Sequence, residues 1–311
     1  MDEALLIATT YLAASLRMAT PLVLAGVGEA ISEKAGVLNI GLEAIMLIGA
    51  FCSFIVAFFT GNLVLGLFAG IMGGMLISMV HAFFSISFKV DQTIVGLALN
   101  FTVLGLTSFL FLIVFGGAAT LPSIPTFSAV SIPILSQIPV IGPVFFYQNI
   151  FVYITLVSIV VVYIVFYKTE WGVRLLAVGE HPQAADTVGI NVIATRYRAC
   201  LLNGVFGGMA GSYFTLARLG FFMENITAGR GFIALVVVIL GRRNPVGIFV
   251  AAMVIGFSEA LQFNLQTMGF GVPSQVFIMF PYVVAVLVLL LSIGKSTNPS
   301  ALGVPYERNK R

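Results

Sequence analysis

Long apolar runs separated by short polar intervals set the pattern of this chain. A helix needs about 20 predominantly apolar residues to cross the hydrocarbon core of a bilayer. Runs of that order cover residues 4–31 (interrupted by Arg17 and Pro21), 41–59, 63–88, 93–115, 149–167, 199–219, 246–262 and 276–293. Residues 231–241 make a shorter apolar run. Counting that run as a crossing predicts an all-α polytopic membrane protein with about nine membrane-crossing helices, one or more of them short or broken. The whole chain, residues 1–311, reads as one transmembrane domain.

Two intervals break the pattern differently. Residues 116–148 are uncharged and rich in proline, with Pro122, Pro125, Pro133, Pro139 and Pro143. Residues 168–198 concentrate cations instead: Lys168, Arg174, Arg196 and Arg198 stand there among Glu170, Glu180 and Asp186. Within them, residues 183–188 have helix-compatible composition. His181-Pro182 suits a helix start and Gly189 a helix end. Two readings stay open on these residues alone. The interval is either a short exposed helix that docks another protein or a solvated loop joining two spans.

Composition narrows the class. Hydrophobic residues make up 59% of the chain and charged residues 9%, with a mean hydropathy of +1.09. An ordinary soluble domain carries roughly 25% charged residues, so a soluble protein is excluded. The net charge of +3 gives no case for nucleic acid. The cations act as topology signals, since cytoplasmic loops carry the excess of Lys and Arg. With the N-terminus outside and the C-terminus in the cytoplasm, inner loops or helix ends hold Lys34, Lys89, Lys168, Arg174, Arg196, Arg198, Arg242, Arg243, Lys295, Arg308, Lys310 and Arg311. Only Arg17, Arg218 and Arg230 fall elsewhere, and residues 116–148 contain no Lys or Arg. The acidic start Met1-Asp2-Glu3 lacks the basic region of a cleavable signal peptide. Cys52 and Cys200 lie in apolar runs and read as small buried residues, with no case for a disulfide or a metal site.

A charge at the bilayer centre costs about 2.5–3.5 kcal/mol, so intramembrane polar residues require a reason. Residues 26–43 hold Glu29, Glu33, Lys34, Asn39 and Glu43 among Gly26, Gly28, Gly36 and Gly41. They form either a broken segment beside a translocation path or a cytoplasmic turn with carboxylates at helix ends. Lys34 is expected to pair with Glu29 or Glu33. Gln92 and Asn100, eight residues apart, return to nearly one helix face. Asn203 and Glu259, with Gln262, Asn264 and Gln266, complete the set. Amides offer donor and acceptor together, which suits an uncharged hydroxylated solute; they also join helices with no solute involved. The candidate solute path is therefore Glu29, Asn39, Glu43, Gln92, Asn100, Asn203 and Glu259. The 28 phenylalanines fill core and lipid-facing surface or stack on a ring such as a base. Glycines at Gly66, Gly70 and Gly74, Gly204 and Gly208, and Gly207 and Gly211 have the spacing of close helix packing, although glycine is common in membrane helices anyway. Residues 35–51 and 231–256 share a Gly-rich start to an apolar run, a faint internal repeat.

Other motifs fail. Gly294-Lys295-Ser296-Thr297 ends like a phosphate loop, but Leu289 stands where the first glycine belongs. His81 and His181 stand alone, without zinc-ligand spacing. Asn225-Ile226-Thr227 is a glycosylation sequon without secretory context. No catalytic constellation appears, so neither chemistry nor an energy source is expected in this chain.

The segment Trp171-Gly172-Val173-Arg174-Leu175-Leu176-Ala177-Val178-Gly179-Glu180-His181-Pro182-Gln183-Ala184-Ala185-Asp186-Thr187-Val188-Gly189-Ile190 resembles the cytoplasmic signature of permease subunits of binding-protein-dependent ABC importers. The branch is that of branched-chain amino acids, ribose and nucleosides. Residues 33–43 (EKAGVLNIGLE), 91–100 (DQTIVGLALN), 229–235 (GRGFIAL) and 238–241 (VILG) carry the likeness along nearly the whole chain. The form of residues 33–43 looks most like the nucleoside and simple-sugar subgroup.

The resemblance implies an ATPase subunit that binds ATP and Mg and docks on Gly179, Glu180, His181, Pro182, Ala184, Ala185 and Gly189. His181 stands where the family often has Asn. The resemblance further implies a companion permease, either a paralogue or a second copy, and an extracytoplasmic solute-binding lipoprotein. The chain is then expected in a bacterial inner membrane among lipids, importing nucleosides. Simple sugars or branched-chain amino acids are the alternatives within the family. An ion-coupled secondary transporter and a non-transporting scaffold are the rivals outside it.

Overall fold

The computed structural model describes residues 3–116, 121–267, 273–291 and 298–307. Its helices are α1 (Glu3–Lys34), α2 (Leu42–Thr60), α3 (Leu63–Ala82), α4 (Gln92–Phe115), α5 (Ile141–Phe145), α6 (Ile150–Lys168), α7 (Glu170–Glu180), α8 (Pro182–Thr187), α9 (Val192–Tyr213), α10 (Arg230–Leu240), α11 (Pro245–Thr267) and α12 (Ser274–Leu291). α3 and α9 run on into π-helical turns, Phe83–Ser87 and Phe214–Leu219. A two-stranded ribbon pairs β1 (Val130–Ser131) antiparallel with β2 (Tyr147–Gln148). Lys295, Arg308, Lys310 and Arg311 lie outside the described residues.

Short polar side chains start the helices where the apolar runs begin. Asn62, Asp91, Asn149, Thr169 and Asn191 each accept a hydrogen bond from a first-turn N–H of α3, α4, α6, α7 and α9. They serve donors that have no partner inside a helix. Among the described residues, six helices are long and apolar enough to cross a membrane: α1, α2, α3, α4, α6 and α11. α9 has 22 residues but carries Arg196, Arg198 and Asn203, which dilute its apolar character. α10 has only 11 residues, about 16 Å of helix and roughly half the hydrocarbon thickness.

α9 is central, packed on α1, α2 and α3. The α2–α3–α9 contact depends on glycine. A Cβ on Gly74 would stand 2.6 Å from Gly208 Cα, and one on Gly208 would stand 2.5 Å from the Gly70 carbonyl oxygen. Close backbone approach of this kind supplies the van der Waals contact that holds helices together in lipid. α1 packs along α11 on the other side.

α7, α8, the end of α1 and residues 299–307 gather at one end, the α7–α8 end. At the opposite end the segment after residue 121 is tied to the end of α9. The Ile124 N–H donates to the Gly220 carbonyl at 2.7 Å and the Phe127 N–H to the Leu216 carbonyl at 2.8 Å.

Three expectations change. α1 passes through Arg17 and Pro21 without interruption. It also continues through Glu29, Glu33 and Lys34, so the break is confined to residues 35–41. α9 begins at Val192, inside the interval assigned to the polar loop, and Arg196 is only 1% exposed.

Candidate functional site

The break between α1 and α2 leaves backbone groups deep in the bundle without helical partners. In a membrane such groups must be satisfied by protein. The candidate residues do this. Glu29 accepts from the Asn39 N–H at 2.8 Å and from Asn203 Nδ2 at 2.7 Å. Gln92 Oε1 accepts from the Leu38 N–H at 2.8 Å. Asn100 accepts from the Ala44 N–H at 2.9 Å and donates to the Ile40 carbonyl at 3.1 Å. Asn39 Oδ1 accepts from the Gly41 N–H at 2.9 Å. One end of two amides is left over: Gln92 Nε2 and Asn203 Oδ1 are buried with no hydrogen-bond partner.

Glu43, in the first turn of α2, belongs to a second knot. It accepts from Thr227 Oγ1 at 2.5 Å, the Gly229 N–H at 2.8 Å and the Gly231 N–H at 2.6 Å. These donors surround the start of α10, where unpartnered N–H groups and the helix dipole favour a carboxylate. A Cβ on Gly231 would stand 2.5 Å from Glu43 Cα, so glycine is needed for the two helix starts to meet. The segments 35–51 and 231–256, which share a Gly-rich start to an apolar run, abut here.

Arg230, the first residue of α10, lies 3.6 Å from Glu259 of α11 and over the Phe214 ring at 5.4 Å. Glu259 therefore joins the knot through Arg230. Glu29, Asn39, Gln92, Asn100 and Asn203 surround the break; Glu43 and Glu259 hold α10.

Lys34 pairs with neither Glu29 nor Glu33. It sits over Phe166 at 4.7 Å and Tyr167 at 5.3 Å. Glu33 pairs instead with Arg243, both buried, in the turn between α10 and α11. That turn holds Arg242 and Arg243 at φ values of +52° and +56°. Sequence reading missed this pair because the nearer Lys34 looked like the natural partner.

At the α7–α8 end, α7 and α8 meet at His181. α8 ends at Thr187, and the turn beyond it passes through Gly189, with φ +86°, where the Ile190 N–H donates to the Ala185 carbonyl at 3.0 Å. The expected docking set divides. Gly179, Pro182 and Ala185 are buried and seat the helices. Glu180, His181, Ala184 and Gly189 are exposed, and Val188 beside them is 75% exposed. A cavity of about 910 Å³ opens beside α8, between Ser87, Lys89, Asp186, Asn191, Tyr306 and Glu307. Among the described residues, no group of three or more His, Cys, Asp or Glu is placed to hold a metal ion.

The sequence profile described as branched-chain amino acid transport system / permease component matches residues 11–292. A guanosine ABC transporter permease, NupQ of Bacillus subtilis, is 38% identical over 307 residues, 96% of each chain. A nucleoside ABC transporter permease, NupC of Lactococcus lactis, is 37% identical over 300 residues, 94% of each chain. A putative glucose ABC transporter permease, TsgC13 of Haloferax volcanii, is 35% identical over 328 residues, covering 97% of this chain and 98% of its own. No solved structure matches.

Proposed function

The chain belongs to the branched-chain amino acid transport system permease family, and from that premise we propose that it imports nucleosides. It is a multi-pass membrane protein and the permease subunit of an ABC importer. The nucleoside reading is carried by likeness over nearly the whole chain, at 37% and 38% identity, to permeases named for nucleosides and guanosine. The glucose-named relative favours simple sugars as the second reading.

A partner ATPase supplies the energy and docks on the exposed surface at and around α8, formed by Glu180, His181, Ala184 and Gly189. The buried residues Gly179, Pro182 and Ala185 keep that face rigid against the bundle. A companion permease and an extracytoplasmic binding lipoprotein complete the assembly, in a bacterial cell membrane. The α7–α8 end faces the cytoplasm, a reading supported by Lys34, Lys89, Arg242 and Arg243 near that end and by the absence of Lys and Arg from residues 116–148. The solute passes the junction around the α1–α2 break. Gln92 Nε2 and Asn203 Oδ1 support this, being a donor and an acceptor that the fold itself leaves unengaged.

Vesicles carrying the chain with its ATPase, companion permease and binding lipoprotein are expected to accumulate labelled guanosine when ATP is supplied. Unlabelled adenosine or uridine should compete, and glucose and leucine should not. Competition by glucose with none by nucleosides would replace the nucleoside reading with the sugar one.

A further inference from the structure

The chain after residue 295 is polar in sequence, and the bonds of residues 298–307 land on four separate elements. The Ala301 N–H donates to the Gly179 carbonyl of α7 at 2.9 Å. Ser300 donates twice to the Glu180 carboxylate, from its N–H at 3.2 Å and its hydroxyl at 2.9 Å. The Gly303 N–H donates to the Gly36 carbonyl, inside the α1–α2 break, at 3.1 Å. Arg196 of α9 donates to the Val304 carbonyl at 3.0 Å. Glu307 meets Lys89, beyond the π turn that ends α3, at 3.8 Å. Tyr306 is buried among Val178, Ala185 and Val192, from α7, α8 and α9.

Arg196 is the latch. Its guanidinium bonds carbonyls from both sides, Ala35 of the break at 3.1 Å and Val304 of the tail at 3.0 Å. Neither partner is a carboxylate, and a buried cation without an anion is costly. What the arrangement provides is geometry, since one planar fork holds two backbone segments in register. Gly36 is shaped to admit it. Its φ is +85°, and a Cβ there would stand 2.8 Å from Arg196 Nη2 and 3.0 Å from the Ala301 carbonyl oxygen. Beside the tail, α7 meets the end of α1 where Gly179 lies against the Lys34 carbonyl.

We propose that residues 299–307, latched by Arg196, are a strap that makes α7, α8 and the α1–α2 break move as one body. Force applied at α8 by the ATPase then arrives at the junction around Glu29, Gln92 and Asn203 instead of being lost in a hinge between α7 and the bundle. Arg196 is a positioning residue in this scheme, and the strap rests on the reading of the chain as an ATP-driven permease.

The test uses the complete importer in vesicles, with labelled guanosine and glucose as parallel probes, and reads solute taken up per ATP hydrolysed. Truncation after Asn298 and Arg196→Gln are expected to lower that ratio about ten-fold while ATP hydrolysis continues, a loss of the size of an ordinary coupling energy. Ser300→Ala, which removes one of two bonds to Glu180, is expected to give a smaller drop. Arg196→Lys should fall between wild type and Arg196→Gln. A tail that merely protects the fold would reduce the amount of assembled complex and leave the ratio of the remainder at the wild-type value; that result overturns the strap. Should the truncated chain not assemble, the Ser300→Ala and Arg196→Lys ratios decide, and wild-type values in both overturn it equally. A wild-type complex with no ATP-dependent uptake of either probe contradicts the transport reading itself.

Discussion

Glu43 shows how one carboxylate can hold a broken transmembrane architecture together. It answers three donors at the start of α10 and is only 7% exposed. Glu43→Ala leaves two backbone N–H groups and a hydroxyl without their acceptor and should cost roughly 3 kcal/mol. The expected outcome is a lower thermal midpoint in detergent, with Glu43→Gln, which keeps one acceptor, losing less. An unchanged midpoint for the Ala variant would show that α10 needs no cap. Glu33 and Arg243 make a different prediction, because both are charged and buried. Removing either partner alone should destabilise by about 3–5 kcal/mol, whereas replacing both by Leu should cost less than either single change. A double variant no more stable than the singles would count against this. The sequence marks Glu29, Asn39, Gln92, Asn100 and Asn203 as polar residues out of place, and the fold gathers them at one break. The long-range partners beside them were not legible: Arg243 lies 210 positions from its partner Glu33, and Arg196 lies 161 from Ala35, so only the folded chain brings them together.

At the scale of elements, hydropathy found the apolar helices but misjudged where they stop. α1 extends past Glu29 and Glu33 because Asn203 and Arg243 receive those carboxylates. α7 was not anticipated: residues 168–198 read as a polar interval with a helix only at 183–188. Its glycines are points of close approach: Gly172 lies against the Val165 and Phe166 carbonyls and Gly179 against that of Lys34. The short helix α8 was legible because its signals, Pro182 at the start and Gly189 at the end, are local. The glycine spacing in α3 and α9 was visible as well, but not that the two stripes face each other. Gly208→Val is therefore expected to force α9 away from α3, since its Cβ would meet the Gly70 carbonyl oxygen at 2.5 Å and Ile71 Cα at 3.0 Å. Yield of folded protein after detergent extraction should fall sharply, and normal yield would argue against close packing there. By contrast, Gly105, whose Cβ would meet nothing within 4 Å, should accept Ala without loss.

At the scale of the whole molecule, the proposed function makes the bundle a passive gate in the membrane with its handle at one end. The two ends can be separated by labelling. Val188→Cys, at a position 75% exposed beside α8, should react with an impermeant thiol reagent only in inverted vesicles. Ile134→Cys, at a position 80% exposed in the opposite end, should react only in whole cells stripped to their cell membrane. The reverse pattern would invert the orientation. The most direct measurement is solute uptake by vesicles into which ATP is sealed, with Ala184→Trp beside the wild type, because Ala184 is exposed on α8 and its change spares the bundle. Uphill uptake by the wild type is expected to vanish when the ATPase subunit is omitted, and the Ala184→Trp complex is expected to hydrolyse ATP without matching uptake. Uphill uptake by this polypeptide alone, driven by an ion gradient with no ATPase present, would contradict an ATP-driven gate.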